Sequence, residues 1–163
     1  MKKIQISLLL LLLSLRIAVA QQILQGKVIR IADGDTVTIL DKRNNQTRVR
    51  LYGIDCPEKG QDFGSVARKF TSDLCFGQQV KVIVKDKDRY GRTVGLIFNE
   101  KHQNINLELL NAGLAWHYTP YDKSKEFAQA QANAKNLKLG LWAHPNPVAP
   151  WEFRKNKKGL YQK

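Results

Sequence analysis

The sequence predicts an α+β domain: a closed five-stranded β-barrel with three helices. Three observations lead there. Short stretches rich in β-branched residues recur between tight polar turns. The apolar period switches from two to three-and-four between the third and fourth of these stretches. Two more helical stretches follow the last strand, so helices and strands are segregated.

Taken in order, residues 24–31 place Val28, Ile29 and Ile31 in a strand-like mixture with basic residues. Asp33-Gly34-Asp35 is a turn, and Thr36 to Leu40 is a second strand. Lys42-Arg43-Asn44-Asn45 is a hairpin tip, and residues 47–52 alternate as a third strand. Over residues 62–76, Phe63, Val66, Ala67, Phe70 and Leu74 recur at helical spacing, with Gly77 as the stop. Strands return at 79–84 and 94–98, around the charged loop Asp86 to Arg92. Residues 104–112 form a short helix. Residues 123–139 form a longer one, with Phe127, Ala130, Ala134 and Leu137 inward and Gly140 closing it. Residues 143–150 carry three prolines and are expected to be extended, and 154–163 to be a short, basic, mobile tail. Three strands, helix, two strands, helix, helix is the order of the oligonucleotide/oligosaccharide-binding (OB) barrel, with its helix between strands three and four.

The first twenty residues stand apart. Lys2 and Lys3 precede a leucine run, and Ala18-Val19-Ala20 is a small-residue cleavage pattern, so residues 1–20 are expected to be a signal peptide. That apolar run is short for a membrane span, which needs about 20 residues. The expected division is therefore a leader at 1–20, a barrel domain at 21–142 and a tail at 143–163, exported to a periplasm or to the medium as a monomer without an anchor. Removing the leader's basic residues, Lys2, Lys3 and Arg16, lowers the formal charge from +13 to +10. Such a balance favours polyanionic partners and says nothing about catalysis. Cys56 and Cys75 are the two cysteines, and their spacing leaves a disulfide open. His102, His117 and His144 have no metal-ligand spacing.

Several charged residues break the strand pattern. Arg48 and Arg50 share a parity and therefore a face. Asp33, Asp35, Asp55 and Glu58 lie at strand ends, and Arg89 and Arg92 in the loop before strand five. If the barrel closes, these ends converge. Carboxylates on turns supply hard oxygen ligands for a cation such as calcium or magnesium. Arginines offer forked donors to a phosphodiester and to its transition state. A further carboxylate can take a proton from water. Each motif alone is weak, and the combination points to phosphodiester hydrolysis.

Three blocks then carry a resemblance. Asp33-Gly34-Asp35-Thr36, the run from Arg50 to Glu58, and Asp88-Arg89-Tyr90-Gly91-Arg92 resemble the signature blocks of the staphylococcal (micrococcal) nuclease family, over roughly residues 24–142. The resemblance implies a calcium-dependent nuclease on an OB barrel. It would cut DNA and RNA, single-stranded or denatured for preference, by attack of water on phosphorus, and leave 3′-phosphates. Carried over by position, Asp35, Asp55 and the carbonyl of Cys56 would hold Ca2+. Glu58 would be the general base, and Arg50 and Arg92 would hold the scissile phosphate. Arg89 and Tyr90 would contact the terminal phosphate and base. Asp33 would be an outer-shell acid. Tyr118 and Tyr121 are candidates for base stacking, with packing beneath the third helix the alternative for Tyr118 and Trp116. Trp142 and Trp151 are expected to pack. Competing expectations are a barrel that binds nucleic acid without cutting it, and an exported module for anionic surfaces.

Overall fold

The computed structural model describes residues 21–160. The expected leader at 1–20 lies outside the described residues. Strands β1 (Ile23–Asp33), β2 (Thr36–Leu40), β3 (Gln46–Leu51), β5 (Gln79–Lys87) and β6 (Thr93–Phe98) close a barrel in the order β1-β2-β3-β6-β5. All neighbours are antiparallel except β3 and β6, which run parallel. Two short strands, β4 (Ile54–Asp55) and β7 (Trp116–His117), make a separate ladder that pairs Asp55 with Trp116. The helices are α1 (Gly64–Cys75), α2 (Ile105–Asn111), α3 (Lys125–Asn136) and α4 (Pro150–Leu160), with a 3-10 turn at Gly140–Ala143.

The barrel forms because alternate positions are apolar on every strand. Val28, Val37, Ile39, Val49, Val82 and Ile97 turn inward and are almost fully buried. Ile105, Leu109 and Leu110 of α2 cover the same core. Each such side chain contributes about 1.5–3 kcal/mol. β1 is longer than expected because register shifts after Val28 and Ile31 bend it, so it pairs with both β2 and β5. α1 is tied beneath the first turn by a hydrogen bond from the Thr71 hydroxyl to the Gly34 carbonyl, 2.6 Å.

The parallel β3–β6 seam has only three paired positions, Val49 to Leu51 against Thr93 to Gly95. Buried Asn106 reinforces it from α2. Its Nδ2 donates to the carbonyls of Tyr52 (2.9 Å) and Gly95 (3.2 Å), and its Oδ1 accepts from the Ile97 amide at 3.1 Å.

Three expectations need correction. The tail read as extended, then mobile, instead contains α4: Pro150 takes its first position, where a missing N–H is harmless, and Glu152 lies in its first turn. Among the described residues the helices therefore number four. Leu137 does not face inward. α3 ends at Asn136, Lys138 turns left-handed at φ 52°, and Leu137 is left 69% exposed. The expected helix at 62–76 is present as α1, with Ala67, Thr71 and Cys75 on its buried face and Val66 exposed.

Asn106→Leu keeps the volume and strands three backbone partners. It is expected to destabilise the fold by about 3 kcal/mol, measured as a lower urea midpoint at unchanged slope.

Candidate active site

β2 begins and β3 ends at the same rim of the barrel, where Thr36 pairs with Arg50. This places Asp35 beside Arg50. Asp35 is 1% exposed, and both of its oxygens are used. Oδ1 accepts a short hydrogen bond from Arg50 Nη1, and Oδ2 accepts from the Cys56 amide at 2.7 Å. The other arm of the guanidinium, Nη2, donates to Asp55 Oδ1 at 2.6 Å. Arg50 thus joins two buried carboxylates from different strands. Burial pushes the Asp35 carboxyl well above the usual carboxylate range, Arg50 opposes that shift, and Asp33 and Asp55 add to it. Burial also works against the charge of Arg50, but Asp35 and Asp55 outweigh it and hold the guanidinium firmly protonated. Asp33 accepts from the Asp35 amide at 3.3 Å and itself lines the site's cavity.

Glu58 lies beyond Pro57 on the segment leading to α1, and its side chain is about one-third exposed. Its carboxylate does not touch Arg50. It accepts at 2.5 Å from Arg154 Nη1, a residue of α4. The same guanidinium reaches Asp55, with Nη1 3.2 Å from Oδ1 and Nη2 2.7 Å from Oδ2. Hydrogen bonding to Asp55 and then to Glu58 pushes the Arg154 pKa up against the effect of burial. Arg154 was not anticipated from sequence. The available signal was local: Pro150 and Glu152 announce a helix, and Trp151, Arg154 and Lys155 then share one face.

A cavity of about 850 Å³ opens in front of these groups. Arg50, Asp55, Glu58, Arg89, Tyr90 and Arg92 all line it, as do Tyr118 and Tyr121. Arg92 thus lines the same cavity as Asp55 and Glu58 and has no hydrogen bond to either among the described residues. It is held by Asp88, with Nε 2.6 Å from Oδ2. Partial burial opposes the charge of Asp88, but hydrogen bonds from the Arg92 side chain and loop amides bring its pKa below the ordinary value. Tyr90 is 70% exposed, with Arg89 and Arg92 4.9 and 5.7 Å from its ring centre. Tyr118 and Tyr121 stack on each other at 5.5 Å. Tyr118 also touches Trp151 at 5.4 Å, and Tyr121 is two-thirds exposed. Trp116 packs between Trp142 (4.6 Å) and Trp151 (5.5 Å). Trp151 packs, as expected, and lines the cavity as well.

Among the described residues, no group of three or more His, Cys, Asp or Glu side chains is gathered as a metal cluster. The set expected from sequence is smaller: two carboxylates and the carbonyl of Cys56. Its chemistry suits a hard cation, because Asp35 and Asp55 are buried oxygen donors that already share one cationic partner. Cys56 and Cys75 are free, buried thiols with no disulfide between them. His117 is buried against Asp122, Nε2 2.9 Å from Oδ1, and is structural.

Buried acids cross-linked by arginine at the rim of an OB barrel, facing a cavity lined with arginine and tyrosine, define a phosphodiester hydrolase. The comparisons sharpen the class. Residues 48–144 match the family model described as staphylococcal nuclease homologue. An uncharacterized endonuclease of Haemophilus influenzae is 41% identical over 157 residues, covering 96% of this chain and 88% of that protein. A micrococcal nuclease of Shigella flexneri is 41% identical over 144 residues, covering 82% of each chain. A staphylococcal-like nuclease of Arabidopsis thaliana is 45% identical over 113 residues, covering 69% of this chain and 34% of that protein. The chain belongs to the staphylococcal nuclease homologue family. Nucleases of this family are generally metal-dependent.

Burial pushes the Cys56 thiol well up and the Cys75 thiol up to about 12, so neither is a thiolate at pH 8. The native protein is expected to resist a disulfide reagent at that pH, and both thiols to react once urea unfolds the chain, followed by absorbance of the released thiolate.

Proposed function

We propose that this chain is an exported, calcium-dependent endonuclease that hydrolyses DNA and RNA and leaves 3′-phosphate and 5′-hydroxyl ends. The observation that carries the reading is the chain of contacts that joins buried Asp35 to Arg50, Asp55 and, through Arg154, Glu58, at a cavity that Arg50, Asp55, Glu58 and Arg92 line together. Asp35, Asp55 and the Cys56 carbonyl would hold the calcium ion. When bound, it would supply positive charge against the phosphate oxygens.

The protein's own groups do the rest. Glu58 takes a proton from the attacking water. The water oxygen bonds to phosphorus, the bond to the 5′-oxygen breaks, and that oxygen takes a proton from solvent water as it leaves, while Glu58 returns its proton to solvent. Arg50 and Arg92, which line the same cavity, neutralise the charge that builds on phosphorus. Tyr90, Tyr118 and Tyr121 offer faces to unpaired bases, which favours single-stranded or denatured substrates. Arg89 meets an adjacent phosphate. Export rests on the leader at residues 1–20, and the +10 balance of the processed chain suits a polyanionic substrate. No helix among the described residues is long and apolar enough to cross a membrane.

The test is cleavage of denatured DNA with calcium and with excess chelator, beside Glu58→Gln, with end-group analysis of the products. Chelation is expected to abolish cleavage, and Glu58→Gln to slow it about 10²–10⁴-fold while DNA binding is retained. Full activity in chelator would remove the metal, and a near-normal rate in Glu58→Gln would remove the base. Binding without cleavage under either condition would make the barrel a polyanion-binding module.

A further inference from the structure

We infer that Arg154, on a helix beyond the residues matched to the family, is a positioning residue of the active site that fixes Glu58 at a set distance from Asp55. The inference rests on the reading of Glu58 as base and Asp55 as metal ligand.

Glu58 needs such support. Its side chain is about one-third exposed, and its segment is a loop between a two-residue strand and α1. A free glutamate side chain gives up roughly 1.5–2 kcal/mol of rotamer entropy when held in one position. Among the described residues, its carboxylate has one polar partner, Arg154. A base must be held within hydrogen-bond reach of its water to act.

The guanidinium has the geometry to do this. Nη1 is shared between Glu58 Oε1 and Asp55 Oδ1, and Nη2 takes Asp55 Oδ2. One rigid plane therefore relates the base to the metal carboxylate. With Arg50 on the other side of Asp55, the groups alternate as Asp35, Arg50, Asp55, Arg154, Glu58. Asp35 and Asp55 are fixed by buried backbone at the barrel rim. Arg154 passes that fixity out to the exposed end.

α4 is itself pinned where it must be. Trp151 packs on Trp116, the β7 residue paired with Asp55. On the other side of Glu58, Gln61 Nε2 donates to the Val148 carbonyl at 2.7 Å, and Gln61 Oε1 accepts from the Glu58 amide at 3.0 Å. The segment before α4 and α4 itself hold the Glu58 loop at two points. α4 lies beyond the end of the family model at residue 144.

The experiment is steady-state cleavage of denatured DNA by Arg154→Gln, Arg154→Lys, Glu58→Gln and the Glu58→Gln/Arg154→Gln double variant. Thermal unfolding checks each fold. Arg154→Gln is expected to lower kcat about 10–100-fold with KM within about threefold. Arg154→Lys keeps the charge and the helix but loses the fork, and is expected to fall in the same direction. In the Glu58→Gln background, Arg154→Gln should add less than about threefold, because the base it positions is gone. An unchanged or raised kcat overturns the inference, as does a raised KM at constant kcat, which would make Arg154 a phosphate anchor. Losses that multiply in the double variant overturn it too. A slow Glu58→Gln beside a full-rate Arg154→Gln removes the role of Arg154 alone. A full-rate Glu58→Gln removes the base and this inference with it.

Discussion

The structure is organised around one buried carboxylate. Asp35 sits at the start of β2 with almost no contact with solvent, and a buried charge is tolerable only when it is paired and hydrogen-bonded. Two segments meet that demand. β3 delivers Arg50 and the stretch after β4 delivers the Cys56 amide, while β3 also donates its Leu51 amide to the Asp35 backbone carbonyl at 2.8 Å. Each of these contacts crosses the rim of the barrel. The end of β3, the short β4 and the start of β2 are therefore locked in one arrangement, and Asp55 is carried into place beside Arg50 as a consequence. A site built this way is held by strands, which position groups more finely than loops.

That organisation explains which parts of the fold were legible. β2 matches its expected bounds because five residues dense in β-branched side chains admit little else. The helix between β3 and β5 was visible as a change of period, and the hairpin tips as polar turns. Misjudgements arose where local chemistry gives a mixed signal. Prolines at 145, 147 and 150 argue against helix, yet Pro150 sits at the one helical position that welcomes it. Leu137 continues an apolar spacing, but the left-handed Lys138 has already ended the helix. Periodicity says where a face would be if the helix went on, and has no means of saying that it stops.

The site divides along the same line. Asp35, Arg50, Asp55 and Glu58 stand out in sequence because they interrupt strand patterns at strand ends, and barrel closure then brings them together. The contact between Arg92 and Asp88 lies within one loop, four residues apart. Arg154 is different. It reaches Asp55 across 99 positions of sequence, from a segment whose composition resembles a basic tail. Among several lysines and one arginine in that tail, the local mark is faint: a face shared with Trp151 and Lys155 that exists only if the stretch is helical. Only the packing of Trp151 against Trp116 and Tyr118 decides it.

The chain is strongly basic, yet several acids stand among the cations of its site, and their presence weighs between cutting and mere binding. A basic surface is what any protein for polyanions would carry. A simple binder of polyanions would have no reason to place Asp33, Asp55 and Glu58 in a cavity lined with arginine, with Asp35 buried behind it. There they repel the ligand, and burial of two of them carries a desolvation cost besides. The arrangement becomes favourable only when cations stand between the acids and the phosphate. Two arginines already do so in part, through Arg50 and Arg154. A divalent ion and a developing transition-state charge would complete the compensation. Acids that oppose binding in the ground state are retained for an interaction that strengthens as the reaction proceeds, which is the energetic signature of catalysis.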